Sequence, residues 1–400
     1  MWYLAKRIVA KLKSLLVKII PYNRIYKPKG VYPTVKAYLV ADKERHPEYL
    51  EIYPGCVSSL HIAEDFCENS PSYLNYESKE SIPPSFVVEV PNGRLHTNRI
   101  TNVAVISDDN KVIGEVSLQL GRSGPENNYI FERNYFTKPK KLRGVAFHIL
   151  IGGSGDHNYF HWMFDALPRL DLLQKSGWFD RVDWFIVPSV KHDFQKETLR
   201  LLGIEDRKIV EGHLHTHIQT DLLLASSYVR FPEHIPQWAC NFLRKTFLPA
   251  ASEEVGEIPF MYISRTDANS RNILNELELI QTLKEFGFKE VQLREYSVAE
   301  QARLFAGAKV IVAPHGAGLA NLVFCSKGAT VVELFPEGYV LPLYYDLASK
   351  VGLKYTHIVC EADAKANSVK QGMKLNLLVD LKRLKKKVEG IMETYTASIN

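Results

Sequence analysis

The chain is poor in cysteine: Cys56, Cys67, Cys240, Cys325 and Cys360 form an odd, scattered set with no C-x-x-C pair. That argues against a disulfide framework and fits a reducing compartment, with a single Cys56–Cys67 bridge left open. Low-complexity tracts and internal repeats are also missing, which excludes disordered, collagen-like and solenoid architectures. Acidic residues are absent before Asp42, whereas Lys6, Arg7, Lys11, Lys13, Lys18, Arg24, Lys27, Lys29 and Lys36 are all basic. These nine cations exceed the net charge of +5, so the rest of the chain carries 5 − 9 = −4. The body is mildly acidic and the basic character sits in a leader.

A long apolar run is lacking as well. A membrane-spanning helix needs about 20 mainly apolar residues, and Met1–Ile20 has basic residues interspersed throughout. A signal peptide would carry its charge ahead of an unbroken apolar core and a small-residue cleavage site. What the leader has instead is one apolar stripe, Leu4, Ile8, Leu12, Leu15 and Ile19, ended by Pro21. We read residues 1–20 as a helix lying on an anionic membrane surface, with docking on the protein's own surface as the alternative. Basic residues alone say little for nucleic acid, and none is expected as a partner.

At 400 residues, 46% of them hydrophobic, the chain is long for one core. Residues 1–30 form the basic segment. Residues 31–248 read as a first lobe, β-rich over 31–143 and α/β over 144–248. Short β-branched segments such as Ser85–Val90, Asn102–Ser107 and Lys111–Leu118 suggest strands in the first part. From Gly144 the register changes: an apolar run, a glycine-rich loop (GGSGDHN), an amphipathic helix over Tyr159–Lys175, then alternating strand and helix signals. The acidic, small-residue stretch Pro249–Pro259 marks a boundary, and α/β alternation restarts over 249–400. The expected architecture is α/β, with two facing Rossmann-like lobes.

In the second half, strand Val310–Ala313 ends at Pro314, and the small-residue turn His315, Gly316, Ala317, Gly318 leads into a helix. Ligands in open α/β sheets collect at carboxyl ends of strands, and helix N-termini bind anions. A diphosphate fits there; a tight turn capped by a histidine is the plain alternative. Arg265, at the carboxyl end of an earlier strand, and Arg271 could bring guanidinium forks to the same place, or serve as paired surface arginines. Asn275 and Glu276 open the next helix, where Glu276 could orient an arginine. Glu333 closes strand Thr330–Leu334 and could accept from ribose hydroxyls, or be a solvated strand-end acid.

In the first half, His161 and Asp165 lie four apart on one helix face, just after His157 and Asn158. A carboxylate beside a histidine at a cleft could deprotonate a hydroxyl. Asp165 is also four before Arg169, so a local ion pair is equally open. Trp162 and Phe164 read as core. His213, His215 and His217 alternate and would share a strand face, but carboxylate support is thin and no metal is expected. The D-x-D triplet that commonly holds a divalent ion on a sugar-nucleotide diphosphate is absent. Its absence favours neutralisation by arginines and helix dipoles, with no metal or other cofactor.

Three blocks in order resemble glycosyltransferase family 61: HNYFHWMFDALPRL (His157–Leu170), YISRTDANSRNILNELEL (Tyr262–Leu279) and APHGAGLANLVFCSKGATVVELFP (Ala313–Pro336). The resemblance covers roughly 145–345. It implies a GT-B fold and inverting, metal-independent transfer from a UDP-sugar. By resemblance, Arg265, Arg271, Asn275, His315, Gly316, Ala317, Gly318 and Asn321 become donor-site residues and Glu333 a ribose contact. Asp165 becomes the general base with His161 its helper, and His157 and Asn158 line the acceptor side. Eukaryotic members carry a signal or spanning segment, whereas this leader reads as neither. The expectation is therefore a bacterial-type enzyme on the cytoplasmic membrane face, building capsule, exopolysaccharide or lipopolysaccharide on a glycan or lipid-linked acceptor. A nucleotide-sugar epimerase of the same fold and a non-catalytic polysaccharide-assembly protein are the alternatives.

Overall fold

The computed structural model describes residues 25–42, 46–61, 77–98, 102–152, 154–231, 234–251, 256–266, 268 and 270–399. The leader helix expected over 1–20, and Cys67, lie outside these residues. Cys56 is exposed and free.

The larger sheet is organised around strand Lys140–His148. It runs parallel to Trp184–Val187 on one side and His217–Ser226 on the other, with Ile209–Glu211 beyond Trp184–Val187. Past His217–Ser226 the pairing turns antiparallel, first to Ser85–Pro91 and Arg94–Thr97 and then on to Asn102–Ile106. The β-rich region is thus built into the same sheet as the α/β region. Two local expectations need correcting. The strand expected over Lys111–Leu118 stops at Ile113, because a tight helical turn follows at Gly114–Val116. A Cβ on Gly114 would meet Pro125 Cβ at 2.5 Å, so the chain bends where glycine permits a close approach. The apolar run expected from Gly144 belongs to a strand that begins at Lys140. Gly144 has φ +90° at a register shift between Leu142 and Val145, a bulge that hides the continuity of the strand.

The smaller sheet runs, in space, Lys289–Val291, Phe260–Ile263, Val310–Pro314, Thr330–Pro336, Lys354–Ala362 and Leu377–Leu378. The first five are parallel and the last is antiparallel. In chain order this is 2-1-3-4-5-6. The order reverses between Phe260–Ile263 and Val310–Pro314, and the carboxyl ends of such a pair are where ligands collect in open α/β sheets.

One hydrophobic cluster joins residues of both halves, among them Trp162, Phe164, Leu243, Phe247, Leu322 and Phe324. Burying side chains of this size contributes about 1.5–3 kcal/mol each. Polar ties accompany it. Glu197 caps the helix Val298–Gly307 through the amides of Val298 (2.8 Å) and Ala299 (2.9 Å). Arg244 donates to the carbonyl oxygens of Val323 and Cys325. Among the described residues no helix is long and apolar enough to cross a membrane.

Candidate active site

The helix expected over Tyr159–Lys175 is broken. Tyr159–His161 is a single turn, Trp162–Ala166 is widened into a π-turn with Leu167 N donating to the Trp162 carbonyl oxygen, and Pro168–Lys175 resumes as α-helix. Pro168 has no N–H to donate, which removes an i→i−4 bond and favours the wider turn. Trp162 and Phe164 are fully buried, as expected of core residues. Asn158 caps the first turn by accepting from His161 N at 3.2 Å, and this holds His161 in place. His157, just ahead of the cap, is exposed.

His161 and Asp165 share a face and are bonded, Nδ1 to Oδ2 at 2.6 Å. The cation that meets Asp165 is Arg230. Its Nε donates to Oδ1 at 2.9 Å and its Nη2 to Oδ2 at 3.3 Å. Arg169, the local partner left open by sequence spacing, is fully buried with its guanidinium 4.9 Å from the Tyr228 ring centroid. Topology explains Arg230. It follows the carboxyl end of His217–Ser226, and the loop carrying His161 and Asp165 follows the carboxyl end of the parallel neighbour Lys140–His148. Both loops therefore emerge at the same sheet edge. Burial would raise the Asp165 pKa, but the Arg230 charge and the His161 hydrogen bond outweigh it and hold the carboxylate at about 2. Asp165 is thus a fixed anion. With Nδ1 committed, Nε2 is the His161 nitrogen left for another partner.

In the second half, Arg265 follows Ile263 and His315 follows Pro314, on either side of the strand-order reversal. Gly316 admits Arg265: a Cβ at this position would collide with the guanidinium. Gly318 serves packing, since its Cβ would approach Leu293 Cδ1 to 2.6 Å. Arg271, in the left-handed region at φ +58°, donates from Nε to the His315 carbonyl oxygen at 2.9 Å and from Nη1 to that of Met373 at 2.5 Å. Two guanidinium groups thus meet one small-residue turn. Ala317–Phe324 is a 3₁₀ helix, and Ala317 and Gly318 at its start are partly exposed.

Several sequence candidates sit elsewhere in this arrangement. Glu333 lies inside strand Thr330–Pro336, which runs three residues past it, and is fully buried. Its oxygens accept from His315 Nδ1 (2.5 Å) and the Tyr355 hydroxyl, so it orients the turn histidine and is not exposed to a ribose. Burial, with Glu333 adding to it, pushes the Tyr344 and Tyr355 phenols well up, and both stay neutral. Asn275 spends its amide on the backbone of Val379, at 2.9 and 3.0 Å. Glu276 accepts from the Tyr262 and Ser264 hydroxyls, at 2.7 and 2.8 Å, and orients no arginine in this structure. Asn321 is fully buried. It accepts from the Tyr159 hydroxyl at 2.8 Å and donates to Gln301 at 2.7 Å, which makes it a tie between the halves. The three alternating histidines separate: His213 lies beside Glu211, His215 meets Lys140 Nζ at 2.9 Å, and His217 meets Arg94 and the Thr137 carbonyl oxygen. Among the described residues no group of three or more His, Cys, Asp or Glu side chains is placed to hold a metal ion.

Two buried rings link the Arg230 side of the dyad to the turn. The Arg230 guanidinium lies 5.1 Å from the Phe160 centroid, Phe160 meets Tyr344 edge-on at 5.7 Å, and Tyr344 meets the His315 ring at 5.3 Å. The Tyr344 hydroxyl donates to the Gly316 carbonyl oxygen at 2.7 Å. A chain of ring contacts thus runs from the acid–histidine pair to the cationic, small-residue turn. Sequence reasoning missed Arg230, although an arginine just past a strand's carboxyl end is the same signal that singled out Arg265.

With that geometry described, the comparisons bear on it directly. A family model described as Glycosyltransferase 61 matches residues 159–332. Protein O-linked-mannose beta-1,4-N-acetylglucosaminyltransferase 2 of Xenopus laevis is 35% identical over 272 residues, covering 59% of this chain and 45% of that protein. The same enzyme of Bos taurus is 35% identical over 142 residues, 34% and 24% of the two chains. The beta-1,2-xylosyltransferase XAX1 of Oryza sativa subsp. japonica is 31% identical over 222 residues, 50% and 38%. The chain spans less than half the length of these relatives. Residues 159–332, which contain the dyad, both arginines and the turn, are thus similar to glycosyltransferase family 61, and the relatives matched are glycosyltransferases.

Proposed function

We propose that the chain is an inverting glycosyltransferase of GT-B architecture that moves a sugar from a UDP-sugar to a hydroxyl of a glycan or lipid-linked acceptor, without a metal. The observation carrying this reading is the Asp165–His161 pair joined by ring contacts to the Arg265, Arg271 and His315 turn. The donor diphosphate sits at the turn, where two guanidinium groups and helix-terminal amides receive negative charge. The acceptor hydroxyl lies against His161.

A carboxylate held at about 2 is a weak proton acceptor near neutrality. Asp165 therefore orients His161 and stabilises the cation it becomes, and Nε2 takes the proton. As the acceptor oxygen bonds to C1 of the sugar, the C1–O bond to the diphosphate breaks. Its electron pair leaves on the diphosphate, next to Arg265 and Arg271. The relatives' names point to an N-acetylglucosaminyl or pentosyl unit. For role and place the proposal is cell-surface polysaccharide assembly, peripheral on a membrane face, supported by the basic residues and apolar stripe within 1–20.

The test is UDP release from UDP-sugars with and without acceptor, in excess chelator. The expected result is acceptor-dependent release that survives chelation. Release that stops in chelator and returns with manganese would overturn metal independence. Conversion of the donor with no acceptor present would point to an epimerase.

A further inference from the structure

A cavity of about 700 Å³ shares no lining residue with the dyad or the turn. It opens at the amino edge of the smaller sheet, where Lys309 precedes strand Val310–Pro314, Thr330 opens Thr330–Pro336 and Lys354 opens Lys354–Ala362. The candidate active site occupies the carboxyl edge of the same strands. The helix Leu381–Ile399 forms one wall. A volume of this size is within the range of about 300–1,000 Å³ typical of ligand pockets.

Its lining carries six cations, Lys309, Lys327, Lys354, Arg383, Lys386 and Lys387, and no carboxylate among the described residues. Two of them touch neutral oxygens: Lys387 Nζ lies 3.1 Å from Thr356 Oγ1, and Arg383 Nη1 3.3 Å from the Val359 carbonyl oxygen. Lys385, on the same helix but outside the cavity, pairs with an acid, Glu285. The described lining is therefore cationic, although the body of the chain is net acidic. Between the cations the wall is apolar, with Ile391 and Tyr395 partly buried. Cations around an apolar wall suit an amphiphile whose anionic head meets the lysines while its acyl region meets the wall.

We propose that this cavity seats the phosphate headgroup of an anionic phospholipid and so sets the chain on a membrane surface, independently of the transferase chemistry. The test uses the full chain in co-sedimentation with phosphatidylcholine vesicles, with and without phosphatidylglycerol. The variant Lys309→Gln/Lys354→Gln/Lys386→Gln removes three exposed charges from the cavity. A control, Lys141→Gln/Lys245→Gln/Lys284→Gln, removes three exposed charges elsewhere and keeps the same net charge. Each basic residue near such a surface is worth about fivefold in affinity. The expected result is a loss of about a hundredfold for the cavity variant on anionic vesicles, little change for the control, and unchanged thermal unfolding in both. Equal losses in the two variants would overturn the site, because bulk charge would account for binding. So would cavity-dependent binding of inorganic phosphate alongside vesicle binding that the cavity variant leaves intact, since the site would then take a free anion.

Discussion

Asp165→Asn separates chemistry from donor binding. The replacement keeps the shape of the side chain and an oxygen for His161 Nδ1, but removes the charge that Arg230 and His161 share. In the folded protein the carboxyl is held at about 2 against an ordinary 3.8, a depression of about 1.8 units. At 1.36 kcal/mol per unit this is about 2 kcal/mol of stability at neutral pH. A folded value below the unfolded one means that the contribution is complete above about 3.8 and lost as pH falls through about 2. Urea unfolding midpoints should therefore place the variant below wild type at pH 7, with the gap closing between pH 4 and pH 2. Turnover should fall about 10²–10⁴-fold, while UDP affinity by calorimetry stays within about twofold, because the donor turn lies across Phe160 and Tyr344. A stability gap independent of pH would refute the charge argument. Near-normal turnover in the variant would refute the dyad.

Four further outcomes follow. Arg265→Ala and Arg271→Ala should each weaken UDP binding by about 10- to 100-fold, the worth of a charge-assisted hydrogen bond at about 1.5–3 kcal/mol; unchanged calorimetric affinity would remove the donor site from this turn. Gly316→Ala should displace the Arg265 guanidinium and weaken UDP binding without altering the dyad, as measured by calorimetry against wild type. Asn321→Ala leaves the Tyr159 hydroxyl and Gln301 without their partner, and should cost about 1–3 kcal/mol in denaturant unfolding. His161→Gln should lower turnover at least as much as Asp165→Asn; a small effect would return the base role to Asp165.

Much of the local structure was legible because local rules govern it. The strand, turn and helix around His315 are written in an apolar run, a proline and two glycines. The pairing of His161 with Asp165 follows from i, i+4 spacing on one face. Glu333 was misplaced because the strand's end was read from the apolar run, while the structure continues it through Phe335 and Pro336. Asn275 and Asn321 carry the right residue type near the site, yet their amides serve the backbone and the contact between halves.

By itself, then, the sequence determined most of the helix and strand positions and which side chains are fit for acid–base work or anion binding. Those properties depend on neighbours a few residues apart. Tertiary structure alone decided that Arg230 rather than Arg169 meets Asp165, 65 residues away in the chain, because two parallel strands release their loops at one edge. It also decided that six lysines and arginines spread from Lys309 to Lys387 surround one cavity. Such contacts arise from strand order and packing, and local periodicity carries no record of them.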